Sequence, residues 1–450
     1  MNLPNYFIAD LPLEHAVTPT LVTEACQTLK RNREQFLLGR TTGAIVGVLS
    51  ATAQSWLEHD NPFRKLALER GVAETGFSEM TLARGLDSFF RQFTSENLNA
   101  LVAQDLGHVE RLDRFTNDRI TNTRSLARGP ALLVHIAAGN IPNPTIFSIV
   151  LGFLTRSAQF VKCARGTSLL PRLFAHSIYA VEPKFASCLE IAEWPGGSEA
   201  LEQPLFAEAD CATATGSDET LAAIRQRLPT RVRFIGYGHR VSFGYVATDA
   251  LSRYEWKKTL QSAAKDVAAW DQLGCLSPHV FYVEHGGSIS AEKFAEMLAD
   301  EFAALESTEP RGKIATEEAA AIASKRSFYE MRAATAGDVK LWKSENSTAW
   351  TVVYEADPQF QLSCLNRFVY VKPVPDMGEA LRYCEGIRGQ VSTVGLAGGG
   401  DQAQQLAMQL AHWGVPRICH LGEMQNPPLT WRHDGRPALG DLVTWTDWEC

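Results

Sequence analysis

Nine cysteines give this 450-residue chain its widest choice of chemistry, since a thiolate is at once a nucleophile, a metal ligand and a disulfide partner. Their number is odd, and they stand at 26, 163, 188, 211, 275, 364, 384, 419 and 450 with no CxxC pair. That scatter argues against a disulfide framework and against a zinc site, both of which need closer, repeated spacing, so no metal is expected. Most of the nine are expected as reduced core residues, because free cysteine packs like a small hydrophobe. Cys275 has a different setting. It lies in Gln272-Leu273-Gly274-Cys275-Leu276-Ser277-Pro278-His279, between a long helical stretch and an apolar strand. A thiolate held there would attack an acyl carbonyl and leave again at moderate energy. A buried structural cysteine is the competing reading.

The other polar residues at suggestive places have ordinary explanations. Asn140 follows a strand in the turn Gly139-Asn140, where asparagine tolerates a left-handed backbone. Ser217 precedes a helix and would serve as its N-cap. His433-Asp434-Gly435 could orient a proton or simply make a turn, and no catalytic role is assigned to it, to His239 or to His279. Cys450 is expected to be exposed and incidental.

These residues must be positioned by elements that the apolar pattern outlines. The chain is 45% hydrophobic and 21% charged with a net charge of -8, which suits a globular protein of more than one domain and lacks the basic footprint of a nucleic-acid binder. The N-terminus has no basic start followed by an apolar core, and no apolar run reaches the length of a membrane span, so a cytoplasmic protein is expected. Residues 14–120 read as mostly helical. From about 130, strands and helices alternate: strand 131–137, a helix from Thr145, strand 159–162, then strands at 188–192, 210–215 and 231–236. Such βαβ units imply a parallel, doubly wound sheet. A helical stretch from 249 to 273 delivers the chain to Cys275. Strand 280–284, helices 290–305 and 316–334, a hairpin at 339–355, and strands 368–374 and 391–396 follow. The expected division is a helical region 1–120, a dinucleotide-binding domain 121–245, a cysteine domain 246–415 and a C-terminal segment 416–450.

The usual GxGxxG fingerprint is absent after strand 131–137; Ala138-Gly139-Asn140-Ile141-Pro142-Asn143-Pro144 takes its place. This stretch, with Phe160–Thr167, Ala212–Glu219, Asp271–Val283 and a C-terminal series of Thr393–Leu396, Gly414–Arg417 and His433–Gly435, resembles the aldehyde dehydrogenase superfamily. More narrowly it resembles the long-chain acyl-CoA reductases of the LuxC type. The resemblance implies an α/β fold of two doubly wound lobes, preceded by the helical region, with the active site in the cleft between them.

It also implies roles. Cys275 stands at the superfamily's nucleophile, and Asn140, 135 residues earlier, at the side chain that joins the Cys275 N–H in holding an oxyanion. Lys162 stands where a lysine reaches the adenosine ribose. Arg165 replaces a glutamate found in NAD-specific members, which favours the 2′-phosphate of NADPH. Gly216 and Ser217 match the turn beside the pyrophosphate, where helix N–H groups bind anions. Placing Gly238 on the second of the superfamily's paired glycines puts Ile235 where hydrolytic members carry a water-activating glutamate. The implied reaction is reduction of a long-chain acyl group, carried on coenzyme A or an acyl-carrier protein, to an aldehyde. A homo-oligomer and an acyl-activating partner enzyme are implied as well. An acyl-phosphate reductase and a silent NADP-binding relative remain as alternatives.

Overall fold

The computed structural model describes residues 3–12, 15–117, 123–137, 139–251 and 255–449; Ala138 of the first strand–helix turn and Cys450 lie outside these ranges. Helices Pro19–Asn32, Thr42–Trp56, Pro62–Thr75, Glu79–Phe90 and Ser95–Leu106 form the N-terminal region. Four of the five are opened by a Thr or Ser cap, at Thr18, Thr41, Ser78 and Thr94, and Asn61 opens the other. Two short strands follow, β1 (Thr116–Asn117) and β2 (Arg124–Arg128).

Two sheets then organise the chain. The first holds β3 (Leu132–Ile136), β4 (Ala158–Cys163), β5 (Leu189–Glu193), β6 (Cys211–Thr215) and β7 (Arg233–Tyr237), all parallel, in the order β5-β4-β3-β6-β7. The order reverses beside β3, and the crevice at such a point, beyond the strands' C-terminal ends, is where doubly wound folds bind ligands. The second sheet holds β8 (Val241–Val246), β9 (Pro278–Glu284), β10 (Val339–Lys343), β11 (Thr351–Glu355), β12 (Phe368–Val374), β13 (Val391–Ala397) and β14 (Ile418–His420) in the order β10-β11-β12-β9-β8-β13-β14. Only the β10–β11 pairing is antiparallel, which is the expected hairpin. Last, β15 (Thr444–Trp448) returns to pair antiparallel with β2. Among the described residues no single helix is long and apolar enough to cross a membrane.

Three sequence expectations are revised. The join between the sheets falls at residues 238–240, because β8 belongs to the second sheet; a boundary at 245 cuts through it. That strand escaped the pattern because Ser242 and Gly244 interrupt its apolar run. Gly244 is required there: a β-carbon would lie 2.3 Å from the Phe281 ring on β9. A boundary at 415 likewise separates β14 from its own sheet. The helical region 1–120 is not a separate body either. Leu49, Trp56, Leu86 and Leu101 share one core with Ile149, Phe153 and Phe174 of the first lobe, and with Leu439 and Leu442 near the C-terminus.

The same core reaches the segment before Cys275. Trp270 packs edge-on to Phe77, at 5.3 Å between ring centroids, and lies over Gly85 of helix Glu79–Phe90. A β-carbon on Gly85 would stand 2.1 Å from the indole. Gly85→Ala should therefore cost about 1–3 kcal/mol, the usual penalty for overpacking. It should also slow alkylation of Cys275 by displacing the loop that carries it. Thermal unfolding and iodoacetamide trapping would check both effects, and an unchanged melting temperature would contradict the packing described.

Candidate active site

The thiol's position begins with backbone strain. Trp270, Asp271 and Gln272 have φ of 52°, 48° and 67°, three consecutive left-handed residues with none a glycine. Leu365, Asn366 and Arg367 form a second such run at 57°, 56° and 64°. Each of these conformations costs on the order of 1–2 kcal/mol, so something must hold them. Asp271 and Arg367, both almost wholly buried, bind each other: Arg367 Nε donates to Asp271 Oδ1 at 2.9 Å, with Nη2 at 2.8 Å from the same oxygen. Asp271 Oδ2 accepts the Gly312 N–H, and Arg367 Nη1 donates to the Glu309 carbonyl. Gln272 completes the clamp. Its amide donates to the carbonyls of Pro278 and Phe368, each at 2.8 Å, and its oxygen accepts the Phe368 N–H.

Cys275 then falls between the lobes' elements. Its carbonyl accepts the Ser242 hydroxyl of β8 at 2.8 Å, and that hydroxyl also accepts the Thr393 N–H of β13. Ser277 is held by Gln425 at 2.9 Å. On the side of the first lobe, the Asn140 amide donates to the Leu273 carbonyl at 3.0 Å, two residues before the cysteine. Asn140 thus lies against the loop that carries Cys275, with its amide engaged by the loop backbone.

The thiol is strongly protonated in this setting. Burial pushes it up to about 11, and the negative charge of Asp434 adds to that; its own backbone N–H, the Arg240 cation and Ser392 work in the other direction. Cys275 keeps partial exposure as a residue. Arg240 and Asp434 form an ion pair at 3.1 Å. His433 stacks on Tyr237 at the end of β7, at 4.5 Å and nearly coplanar, and Arg436 donates to the Gly236 carbonyl. The turn 433–435 therefore sits on the link between the two sheets. Sequence reasoning noticed this turn without connecting it to the thiol, and Arg240 and Ser392 carried no signal at all. His279, by contrast, is buried, held low at about 4 by burial and by His239, and accepts the Ser363 N–H. Ile235, on β7, is buried in the core that the first lobe shares with the N-terminal helices.

The residues proposed for a dinucleotide line the C-terminal edge of the first sheet. Lys162, next to last in β4, is buried to 3% exposure and makes no ion pair or hydrogen bond from its ammonium among the described residues. Burial depresses its pKa, with Glu202 opposing. An unpaired buried cation beside the point where strand order reverses fits a polar, anionic ligand. Arg165 is exposed on the following turn. Beside it Glu193, at the end of β5, accepts the Gly166 N–H at 2.7 Å, a carboxylate that sequence reasoning did not find. Gly216 donates to the Tyr237 carbonyl, and Ser217 caps helix Asp218–Arg227 by accepting the Thr220 N–H. That N-terminus also carries Asp218 and Glu219, so Ser217 is in the first place a cap.

Two doubly wound lobes with a thiol at their join are the aldehyde dehydrogenase architecture. Apo betaine aldehyde dehydrogenase of Staphylococcus aureus superposes with a TM-score of 0.71 at 14% identity, over 98% of this chain and 90% of that one. The Delta-pyrroline-5-carboxylate dehydrogenase of Mycobacterium tuberculosis does so at 0.67 and 15%, over 96% and 82%. Within that fold the chain belongs to the acyl-CoA reductase (LuxC) family, whose model matches residues 39–445. It is 22% identical to the long-chain acyl-protein thioester reductase of Aliivibrio fischeri over all of this chain and 91% of that one. It is 23% identical to long-chain acyl-protein thioester reductase 2 of Photobacterium leiognathi, again over all of this chain and 91% of that protein. Fold and family together imply a nicotinamide cofactor.

A thiol held near 11 is reactive only through its small thiolate fraction, which grows with pH until that value is approached. Alkylation of Cys275 by iodoacetamide should therefore climb about tenfold per pH unit from 7 to 10. Peptide mapping of the alkylated protein would follow it. A plateau below pH 8.5 would mean that the thiol is ordinary or activated.

Proposed function

We propose that the protein reduces long-chain acyl thioesters to aldehydes with NADPH, through an acyl group carried on Cys275. The observation that carries this reading is the placement of Cys275 on a clamped loop between a dinucleotide-type sheet and a second α/β lobe, with Asn140 against that loop. Cys275 attacks the thioester carbonyl and the carrier thiol departs. The Cys275 N–H faces the developing oxyanion; Asn140 joins it by exchanging its bond to the Leu273 carbonyl for one to the substrate. One such donor is typically worth about 10²–10³ in rate.

The nicotinamide, when bound, supplies the hydride. Lys162 would meet the ribose, Arg165 the 2′-phosphate, and the Gly216–Ser217 turn the pyrophosphate. Arg165 and Glu193 pull in opposite directions at this end of the site, a cation welcoming the phosphate and a carboxylate repelling it. Glu193 already spends one oxygen on the Gly166 N–H, which leaves Arg165 the freer group. Ile235 gives water no carboxylate to activate it from β7, so the acyl group waits for reduction. The acyl carrier is coenzyme A or a protein thiol, the latter by analogy with the acyl-protein thioester reductases it resembles. An acyl-activating partner enzyme, a homo-oligomeric state and a cytoplasmic location belong to the same reading.

Cys275→Ala should abolish both covalent acylation by a long-chain acyl-CoA and aldehyde release, while melting and NADPH binding stay near those of the wild type. An acyl adduct persisting in the variant would overturn the nucleophile. Arg165→Glu should weaken NADPH selectively, reducing the NADPH/NADH ratio of kcat/KM by tenfold or more if the guanidinium meets the phosphate, on the scale of a lost charge-assisted pair of about 1.5–3 kcal/mol. An unchanged ratio would assign cofactor choice elsewhere.

A further inference from the structure

Cys275 occupies the second position of a tight turn, residues 274–277, closed by the Ser277 N–H donating to the Gly274 carbonyl at 2.9 Å. A turn of this kind uses only its last N–H. The Cys275 N–H accordingly donates to no acceptor on another residue among the described ones. A free N–H beside the attacking sulfur can hold an oxyanion only if the turn keeps it aimed. One side chain spans that turn. Gln425 Nε2 donates to the buried Ser277 hydroxyl at 2.9 Å, and Gln425 Oε1 lies so close to Gly274 that a β-carbon there would stand 3.1 Å from it. The amide thus meets the first and the last residue of the turn, with Cys275 between them.

Gln425 is itself fixed with unusual care. It follows residues 422–424, whose backbone is gripped at both its donors and its acceptors by buried side chains. Asp266, on helix Trp256–Ala268, accepts the Gly422 N–H on one oxygen and the Met424 N–H on the other, the latter at 3.0 Å. Arg417 donates to the carbonyls of Met424 at 2.6 Å and Glu423 at 2.7 Å. Gly422, at φ of 93°, packs onto the same helix, where a β-carbon would lie 2.9 Å from Ser262. On the other side of Gln425, Asn426 accepts the Ser88 hydroxyl of helix Glu79–Phe90. Residues 422–426 belong to no helix or strand, and connections of that kind are ordinarily the mobile part of a fold. Here the connection is anchored on every side of the one residue that spans the turn.

We propose that Gln425 is a positioning residue for acylation, holding both ends of the 274–277 turn so that the Cys275 N–H points at the thioester oxygen. The inference rests on the acyl-enzyme reading above. Gln425 gives and takes no proton and forms no bond to the substrate. Its effect passes through Ser277 and Gly274 to the one N–H that meets the negative charge as the carbonyl carbon becomes tetrahedral. Asn140 holds the same loop from the first lobe, at the Leu273 carbonyl. The C-terminal segment therefore supplies the opposite support, and a reaction that builds no oxyanion on the thiol's target should not need it.

That contrast is the test. Single-turnover acylation by a long-chain acyl-CoA and alkylation by iodoacetamide should be measured side by side in wild type, Gln425→Ala, Ser277→Ala, the double variant and Gln425→Glu. Alkylation displaces iodide at a saturated carbon and passes through no oxyanion. Gln425→Ala and Ser277→Ala should each slow acylation by about 10–10², short of a donor removed outright, while alkylation keeps its wild-type rate. The double variant should be no slower than the slower single one, because both changes remove the same bond. Gln425→Glu can still accept the Ser277 O–H, so its ratio of acylation to alkylation should recover toward wild type. Unchanged acylation in Gln425→Ala would overturn the proposal. Acylation and alkylation falling together would overturn it too, since the thiol itself would then have moved, and so would single deficits that multiply in the double variant. Should Ser277→Ala not fold, the two Gln425 variants decide by the same ratio. Wild-type enzyme that acquires no acyl group would instead overturn the acyl-enzyme reading itself.

Discussion

The buried ion pair of Asp271 with Arg367 is the constraint on which the active site depends. It joins two runs of left-handed backbone, neither of which contains a glycine to relieve the strain. Without the pair, each run would relax, and the five residues from Asp271 to Cys275 would lose their fixed course. Breaking such a pair from one side leaves an uncompensated buried charge, which typically costs about 3–5 kcal/mol. Gln272 reinforces the junction by bonding to both strands that flank it, β9 through Pro278 and β12 through Phe368. The place of Cys275 is therefore set by polar groups spread over nearly a hundred residues of sequence, not by its own apolar neighbours.

Other segments converge on the same loop. Helix Glu79–Phe90 leaves room at Gly85 for Trp270, the first residue of the strained run. Asn140 reaches it from the first sheet, Ser242 from the second, and Gln425 from the C-terminal segment. A thiol held by several rigid supports keeps its geometry when one of them moves slightly, as the proposed acyl transfer would require. The same arrangement buries the thiol and raises its pKa.

Most strands were legible because parallel sheets covered on both faces produce unbroken apolar runs, as in Leu132–Ile136 and Phe368–Val374. Five strands were not read, among them the buried Val241–Val246, which hides its strand character behind a serine and a glycine that serve neighbouring parts, one holding Cys275 and the other admitting Phe281. Cys275 and Asn140 were visible through their motif and its spacing. Arg240, Ser392, Arg367 and Glu193 were not, because each acts across a fold-dependent contact and stands in no local pattern. The shared core of the N-terminal helices and the first sheet was equally invisible, as apolar periodicity says which face is buried but not against what.

The central claim is that the acyl group on Cys275 goes to hydride and not to water. It is tested most directly by acylating the enzyme with a long-chain acyl-CoA in the absence of cofactor, removing the excess, and dividing the sample. Intact mass and product analysis would follow one half in buffer and the other after NADPH is added. The account predicts an adduct that persists in buffer and is discharged as aldehyde once NADPH arrives. Rapid release of free fatty acid without cofactor, with no aldehyde on adding it, would contradict the account and make the protein a thioesterase.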